Sequence, residues 1–309
     1  MSNWFLFALV PPILWSIVNH IDKYMLSRYL KNRGVGALLV FSAFASIVLL
    51  PFILYFFHSQ IFDVPFLGIV TLVLVGFLAM LASYFYLKGL ESEETSVVIP
   101  LFQLVPVFGY FLGFVILGES LSTNQIFYSL IVITGIISLS LEISEENKIK
   151  LKKKVLILIA SSSFFYALHD ILFKKVAIVE NFWVSVFWQY VSMLLFGILA
   201  LVFIKKFRHD FFEMFHDMGH KLLFVNLISE ILYLVGNLAN NFAILLAPVA
   251  LVLVVSSYQP LFVFIVGILL TIFLPKIAME RISKKHLLHK LISILIIIIG
   301  SYFLYTSSF

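Results

Sequence analysis

A stripe of polar side chains crosses a long apolar stretch of the sequence, residues 222–262. Its members recur at alternating steps of four and three residues, which places them on one face of a helix. They are Asn226, Glu230, Tyr233, Asn237 and Asn240. A carboxylate, amides and a phenol that faced acyl chains would cost several kcal/mol, so we expect the stripe to face a wet cavity or another helix.

Glu230 carries the most specific chemistry in this stripe. An acidic side chain inside an apolar helix is a functional hypothesis by default. Glu230 could bind a proton and couple that binding to transport, or it could pair with an ammonium group on a ligand. The alternative is a hydrogen-bonded glutamate that braces neighbouring helices.

A second candidate joins an aromatic residue to a polar residue four positions later, at two places in the chain. Trp15 precedes Asn19, and Tyr166 precedes Asp170. Aromatic faces beside a carboxylate suit an organic cation, because cation–π attraction adds to charge pairing. The competing interpretation is structural, since Lys174 follows Asp170 by four residues and could pair with it near the membrane surface.

Four histidines have positions that could suit proton or metal chemistry. His20 and His169 flank the second candidate and could relay protons, although a histidine in an apolar helix more often packs or hydrogen-bonds. His216 and His220 have the spacing of metal ligands, but they lack a third ligand. We therefore expect no metal site.

Polar residues that precede two prolines form the third candidate. Gln103 precedes Pro106, and a longer polar group precedes Pro260. That group consists of Ser256, Ser257, Tyr258 and Gln259. A proline leaves a backbone carbonyl unpaired one turn upstream, so these side chains could repair the backbone or contact a ligand at a bend. Repair is a sufficient role for the serines, whereas Gln103 and Tyr258 are predicted to contact a ligand.

The composition places all these residues in a membrane. Of the 309 residues, 62% are hydrophobic and only 12% are charged, and the mean hydropathy is +1.10, far outside the range of soluble proteins. The net charge of +5 does not indicate nucleic acid, because the basic residues lie in short links between apolar runs. The sequence predicts an all-α integral membrane protein.

Ten apolar segments are long enough to cross the hydrocarbon core. They are residues 4–22, 35–57, 64–87, 95–118, 125–143, 155–173, 182–204, 222–246, 247–274 and 287–306. Pro248 marks the boundary between the eighth and the ninth segment, since a proline is tolerated in the first turn of a helix but not in its interior. All lysines and arginines except Lys174 and Lys175 fall in alternate links, if Lys290 at the start of the tenth segment is counted with the link before it. The positive-inside rule therefore predicts that both termini face outward across the cytoplasmic (inner) membrane.

The two halves of the chain resemble each other. The first and sixth segments each carry an aromatic residue, a polar residue and a lysine at steps of four: Trp15, Asn19 and Lys23, and Tyr166, Asp170 and Lys174. At a second constant offset, Gly89, Pro106 and Gly113 correspond to Ala243, Pro260 and Gly267. Each half holds five segments, and an odd number inverts the second half relative to the first. We predict two inverted five-helix repeats, at residues 1–147 and 148–309.

When the two halves are aligned, the polar stripe of the eighth segment lies opposite the third segment. Gly76 corresponds to Glu230, and Ala79 and Ser83 correspond to Tyr233 and Asn237. Small residues on the third segment would allow a close approach of the backbone or leave room for a ligand. Gly109 and Gly113 form a helix-packing motif, to which we assign no ligand role.

These duplicated motifs resemble the drug/metabolite transporter superfamily, in its EamA-like branch. The motifs are Tyr86-Leu-Lys-Gly89-Leu and Asn241-Phe-Ala243-Ile, the prolines Pro106 and Pro260, and Gly118-Glu119-Ser-Leu. The resemblance implies a ten-helix carrier whose substrate cavity is lined by segments 1, 3, 4, 6, 8 and 9, with segments 5 and 10 at the periphery. The chain departs from the pattern at Glu280, the counterpart of Glu119, which follows an insertion.

The sequence therefore predicts a secondary active transporter that moves a small organic metabolite, such as an amino acid or an amine, by alternating access. Proton coupling through Glu230 is one option, and the protein could be a monomer or a homodimer. No nucleotide-binding loop, nucleophile elbow or pair of catalytic carboxylates is found, so we expect no enzyme activity and no cofactor. The rivals are a flippase for a lipid-linked sugar and, with less support from the scattered histidines, a membrane-embedded lipid-modifying enzyme.

Overall fold

Helices are the only regular elements in the part of the chain that the computed structural model describes. The described residues are 4–28, 35–92, 98, 101–102, 104–140, 153–217, 219–273 and 284–307. The prediction of an all-α protein is confirmed for these ranges. The predicted boundary between the two repeats, at residues 147 and 148, lies outside them, so the repeat division stays a prediction.

The helices follow one another along the chain with short connections. In the first half they are α1 (Trp4–Arg28), α2 (Gly36–Ala45), α3 (Leu50–Phe57), α4 (Phe66–Ser92), α5 (Leu104–Leu112) and α6 (Thr123–Ser140). In the second half they are α7 (Lys153–Ala177), α8 (Phe182–Phe203), α9 (Lys205–Asp217), α10 (His220–Leu246), α11 (Val249–Ser256), α12 (Gln259–Phe273) and α13 (Lys284–Thr306).

Seven stretches in the described ranges are long and apolar enough to cross a membrane. They are Trp4–Leu26, Gly36–Phe57, Phe66–Ser92, Lys153–Ala177, Phe182–Phe203, Leu223–Leu246 and Val249–Leu270. Two shorter apolar helices, Leu104–Leu117 and Ile292–Thr306, coincide with predicted segments. The protein is therefore a multi-pass membrane protein, while the count of ten crossings stays a prediction.

Large apolar side chains cover the outside of the helix bundle. Phe66, Phe62 and Val179 are more than three-quarters exposed, which a water-soluble protein would avoid over so wide a surface. Helices satisfy their own backbone groups, so such a surface is compatible with acyl chains. Because the outer surface is apolar, polar side chains within the membrane-spanning helices are expected to face the interior of the bundle.

Three of the predicted segments are interrupted helices. Segment 35–57 contains a 3₁₀ turn at Ser46–Val48, and segment 95–118 ends in a π-helical turn at Gly113–Leu117. Gly118 follows that turn with φ of 68°, a left-handed conformation that glycine adopts without strain. Segment 247–274 divides into α11 and α12 just before Pro260, whereas the predicted break at Pro248 is confirmed by the ends of α10 and α11.

Helix α9 has two faces of different character. One face contacts the bundle, where the ring of Phe211 lies 5.9 Å from that of Phe44 and Met214 is buried. The other face exposes Phe212, so α9 has the two faces of a helix that lies at a membrane surface.

Helices of the two halves of the chain pack against each other across the centre of the bundle. The most extensive helix–helix contacts join α4 to α7, α1 to α10 and α6 to α13. The first two pairs are equivalent if the halves are exchanged, because α1 and α7 hold the first and sixth predicted segments and α4 and α10 hold the third and eighth. The four helices of these two pairs surround the polar interior.

Gly76 lies where α4 approaches α8. A Cβ atom at this position would lie 2.4 Å from the backbone oxygen of Gln189 and 2.6 Å from the Cβ of Ser192. Of the two roles that small residues on the third segment could have, close approach of the backbone is the one that Gly76 performs. Gly109 likewise packs closely, since a Cβ there would meet Leu253 at 2.3 Å.

Candidate functional site

A cavity of about 140 Å³ lies in the centre of the bundle. Its polar lining residues are Trp15, Asn19, Asp22, Ser42, Ser83, Tyr86, Tyr166, His169, Asp170, Glu230, Tyr233, Asn237, Asn240, Ser256, Ser257 and Gln259. They come from α1, α2, α4, α7, α10, α11 and the start of α12. These helices correspond to predicted segments 1, 2, 3, 6, 8 and 9, and Phe102 and Val105 add the fourth. The second segment was not among those that the resemblance implied.

Three carboxylates from three different helices line the cavity. They are Asp22 of α1, Asp170 of α7 and Glu230 of α10. No lysine or arginine is found among the lining residues in the described ranges. The described lining of the cavity is therefore acidic and includes no lysine or arginine.

Glu230 is held by a serine from the second predicted segment. The hydroxyl of Ser42 donates to Oε1 of Glu230 at 2.5 Å. Glu230 is only 7% exposed, so this hydrogen bond replaces part of the hydration that burial removes. Glu230 is at the same time one of the residues that line the cavity.

Asp170 is held by its chain neighbour and by α10. Nδ1 of His169 lies 2.8 Å from Oδ1 of Asp170, and the amide nitrogen of Asn240 lies 3.2 Å from each carboxylate oxygen. The hydroxyl of Ser256 in turn donates to the amide oxygen of Asn240 at 3.4 Å. Side chains from three helices thus orient one carboxylate.

Lys174 does not pair with Asp170. Its ammonium group lies 2.6 Å from Oε1 of Glu119 and donates to the backbone oxygen of Ala247 at 2.7 Å. The other carboxylate oxygen of Glu119 accepts a hydrogen bond from the backbone nitrogen of Val249 at 2.8 Å. The predicted pair of Asp170 and Lys174 is therefore wrong. Glu119 instead connects the turn after α5 to α7 and to the start of α11.

Aromatic rings form much of the remaining wall. The indole of Trp15 lies 6.3 Å from the ring of Tyr233, and its Nε1 has no hydrogen-bond partner among the described residues. The phenol of Tyr86 donates to Oδ1 of Asn19 at 2.7 Å, and the phenol of Tyr166 lies 3.2 Å from the hydroxyl of Ser83. Aromatic faces and carboxylates therefore meet in one chamber.

The structure brings together seven of the ten predicted site residues. Glu230, Tyr233, Asn237, Trp15, Asn19, Tyr166 and Asp170 all line the cavity. Asn226 is fully buried outside it and has no hydrogen-bond partner in the described ranges. Tyr258 also lies elsewhere, where its phenol donates to the hydroxyl of Ser301 on α13. Gln103 lies outside the described residues.

The sequence analysis did not predict two of the polar residues that line the cavity, Asp22 and Ser42. Asp22 follows Trp15 and Asn19 at helical spacing, so the aromatic–polar stripe of α1, extended by one more turn, would have found it. Ser42 gave no such signal, because a single serine in an apolar helix is common and its partner Glu230 is far away in the sequence.

Residues 2–141 match the model of the EamA-like transporter family, which belongs to the drug/metabolite transporter superfamily. The match covers nearly all of the first predicted repeat and agrees with the resemblance that the duplicated motifs indicated. Members of this family are membrane transporters, which fits a protein that is not an enzyme.

One solved crystal structure of a protein is similar to nearly the whole chain. It covers 99% of this chain and 97% of its own, with a TM-score of 0.67 and 12% sequence identity. At this identity the similarity shows the fold alone. The comparison with curated proteins gives no match.

Proposed function

We propose that this protein is a secondary active transporter that moves a small organic cation, an amine metabolite, across the cytoplasmic membrane by alternating access. The observation that carries the proposal is the cavity lined by Asp22, Asp170 and Glu230, with no lysine or arginine among its described lining residues. Ten helices in two inverted five-helix repeats would form the carrier.

The charge of the cavity supports an amine over an amino acid. Buried carboxylates without a cationic partner are costly, because the interior replaces only part of their hydration. An ammonium group on the substrate would supply the missing positive charge. The carboxylate of an amino acid would find no lysine or arginine among the described lining residues and would be repelled by three acids.

The aromatic wall supports the same substrate class. Trp15, Tyr86, Phe102, Tyr166 and Tyr233 surround the carboxylates, and aromatic faces attract cations that have lost their water. A cation in this chamber would gain charge pairing on one side and cation–π contacts on another. A neutral solute would gain neither.

The packing of the helices supports alternating access. The cavity wall alternates between the predicted halves, because α1 packs along α10 and α4 packs along α7. A rocking motion of one half against the other would therefore change the access to the cavity while leaving each half intact.

Uptake into proteoliposomes tests the proposal. The purified full chain would be reconstituted, and the uptake of labelled choline, putrescine, tyramine, leucine and glutamate would be measured with and without a pH gradient. We expect saturable uptake of one or more of the organic cations and no uptake of glutamate. Uptake confined to amino acids, or scrambling of a lipid-linked sugar with no cation uptake, would contradict the proposal.

A glycine on α10 provides a second prediction, for the aromatic wall. A Cβ atom on Gly236 would lie 2.5 Å from Nε1 of Trp15, so Gly236→Ala should push the indole out of its place in the cavity. We expect the substrate concentration for half-maximal uptake to rise about tenfold, because a cation–π contact contributes about 0.5–2 kcal/mol. The concentration dependence of uptake measures this shift.

Gly219→Ala is the matched control, because a Cβ atom at Gly219 meets nothing within 4 Å. This variant should transport as the wild type does. If both alanine variants behave alike, Trp15 does not contact the substrate in the way proposed.

A further inference from the structure

A chain of four buried side chains runs from the cavity wall into the interior between α7, α8 and α10. It begins at Asp170 and continues through His169, which lies 2.8 Å away, to the amide nitrogen of Gln189, 3.0 Å from Nε2 of His169. It ends at Asn241, whose amide nitrogen donates to Oε1 of Gln189 at 2.9 Å. Asp170 and His169 line the cavity, whereas Gln189 and Asn241 lie behind them.

The hydrogen bonds of this chain determine where the ring proton of His169 lies. Oε1 of Gln189 accepts from Asn241, so the amide nitrogen of Gln189 is the atom that faces the histidine, and it can only donate. Nε2 of His169 must therefore be an acceptor without a proton. The ring proton is on Nδ1, where it is donated to the carboxylate of Asp170. In this arrangement His169 is neutral.

The same chain offers a second arrangement. Oδ1 of Asn241 is buried and has no hydrogen-bond partner among the described residues. If the amides of Gln189 and Asn241 both turn over, Gln189 presents its oxygen to His169 and its nitrogen to that vacant acceptor. His169 must then carry a proton on Nε2 as well as on Nδ1. The chain keeps the same number of hydrogen bonds, so it can take up one proton without losing any of them.

A proton on His169 would change the charge that a substrate meets. The imidazolium would lie in direct contact with Asp170 and would neutralise it. The other titratable groups that line the cavity are acids or phenols: Asp22 on α1, Tyr86 on α4, Tyr166 on α7, and Glu230 and Tyr233 on α10. Tyr190 on α8 is buried outside the cavity lining. Among the described groups around the cavity, His169 is thus the one whose protonation adds a positive charge.

We propose that His169 is a proton-binding site whose occupancy opposes the binding of a cation at Asp170, and that Gln189 and Asn241 are the paired amides that allow it to accept the proton. His169 would take one proton from the water in contact with the cavity. It would release that proton on one side of the membrane when a cation binds, and it would bind a proton again after the cation leaves. This proposal rests on the proposed transport of an organic cation and assigns proton exchange to His169. It adds Gln189 as a positioning residue that does not touch the substrate.

The protonation step can be measured without any substrate. We would label the histidines of the full chain with ¹⁵N, record their ring signals by NMR in lipid between pH 5 and 9, and assign His169 with a His169→Gln variant. We expect a neutral ring with its proton on Nδ1 at high pH and an imidazolium at low pH. A ring proton on Nε2 at high pH, or a ring that does not titrate, would overturn the proposal.

Gln189→Glu is the decisive variant, because a carboxylate cannot donate to Nε2 and therefore favours the arrangement in which His169 carries its second proton. In proteoliposomes, we expect the cation concentration for half-maximal uptake to rise about tenfold and the dependence on a pH gradient to disappear. His20→Gln is the matched control, since His20 contacts the backbone oxygen of Val263 at 3.0 Å and lies outside this chain.

The two proposals fail in different ways. If a cation is transported and Gln189→Glu leaves both its affinity and its pH dependence unchanged, the role of His169 is wrong and the transport function stands. If no cation is transported while His169 titrates as expected, the transport function is wrong. A Gln189→Met variant, which neither donates to Nε2 nor accepts from it, should lose the preference for Nδ1 in the neutral ring and gives a second reading if Gln189→Glu fails to fold.

Discussion

Replacement of Glu230 by glutamine should lower the uptake of the substrate cation about 30-fold or more. Glutamine keeps the size of the side chain and can still accept a hydrogen bond from Ser42, which lies 2.5 Å from Glu230. It removes the negative charge, and the loss of one partner from a buried charge pair costs about 2–5 kcal/mol. Initial uptake rates in proteoliposomes, normalised to the amount of correctly inserted protein, measure the effect.

The matched control is Glu91→Gln on the surface of α4. Glu91 forms an exposed ion pair with Lys88 at 2.8 Å, which contributes little to stability, and this variant should transport as the wild type does. Ser42→Ala removes only the hydrogen bond to Glu230 and should give an intermediate rate. Unchanged, still pH-dependent uptake by Glu230→Gln would show that this carboxylate only braces the helices.

Gly76→Ala should lower the unfolding temperature of the protein by about 2–5 °C. The new methyl group would lie 2.4 Å from the backbone oxygen of Gln189 and against Ser192. A backbone atom cannot turn away as a side chain can, so α4 and α8 must separate, and overpacking of this kind costs about 1–3 kcal/mol. The unfolding temperature of the purified protein in detergent measures the loss.

Gly68→Ala on the same helix is the control for this change. A Cβ atom at Gly68 would meet a methyl group of Val64 at 2.9 Å, and that side chain can rotate away. We expect a shift of less than about 1 °C. Equal shifts for the two alanine variants would mean that the close approach of α4 and α8 is not what limits residue size at Gly76.

The polar stripe shows how far helical spacing can predict a site. Spacing placed Glu230, Tyr233, Asn237 and Asn240 on one face of α10, and all four line the cavity. Asn226 lies on the same face, but it is buried outside the cavity. The reason is length: α10 has 27 residues and is about 40 Å long at 1.5 Å per residue, so its stripe extends beyond the chamber that it faces.

Local spacing was a poor guide to ion pairing. The separation of Asp170 and Lys174 favoured a pair within one helix, as it would on an isolated helix in water. In the bundle, Glu119 from the other half of the chain reaches Lys174, and Asn240 reaches Asp170. Tertiary contacts override the intrahelical pair because a charge that packing removes from solvent needs several partners, and these contacts offer more hydrogen bonds than one exposed pair does.

The sequence by itself determined that this is a helical membrane protein with inward-facing polar stripes, because composition and spacing act within single helices and the bilayer excludes other arrangements. It also indicated the transporter family through the order of its duplicated motifs. Only the tertiary structure decided which polar residues share a cavity. Ser42 and Glu230, or Gln189 and His169, meet because α2 lies near α10 and α8 lies near α7. Those contacts depend on how whole helices pack against each other, and the spacing of residues within one helix cannot predict that packing.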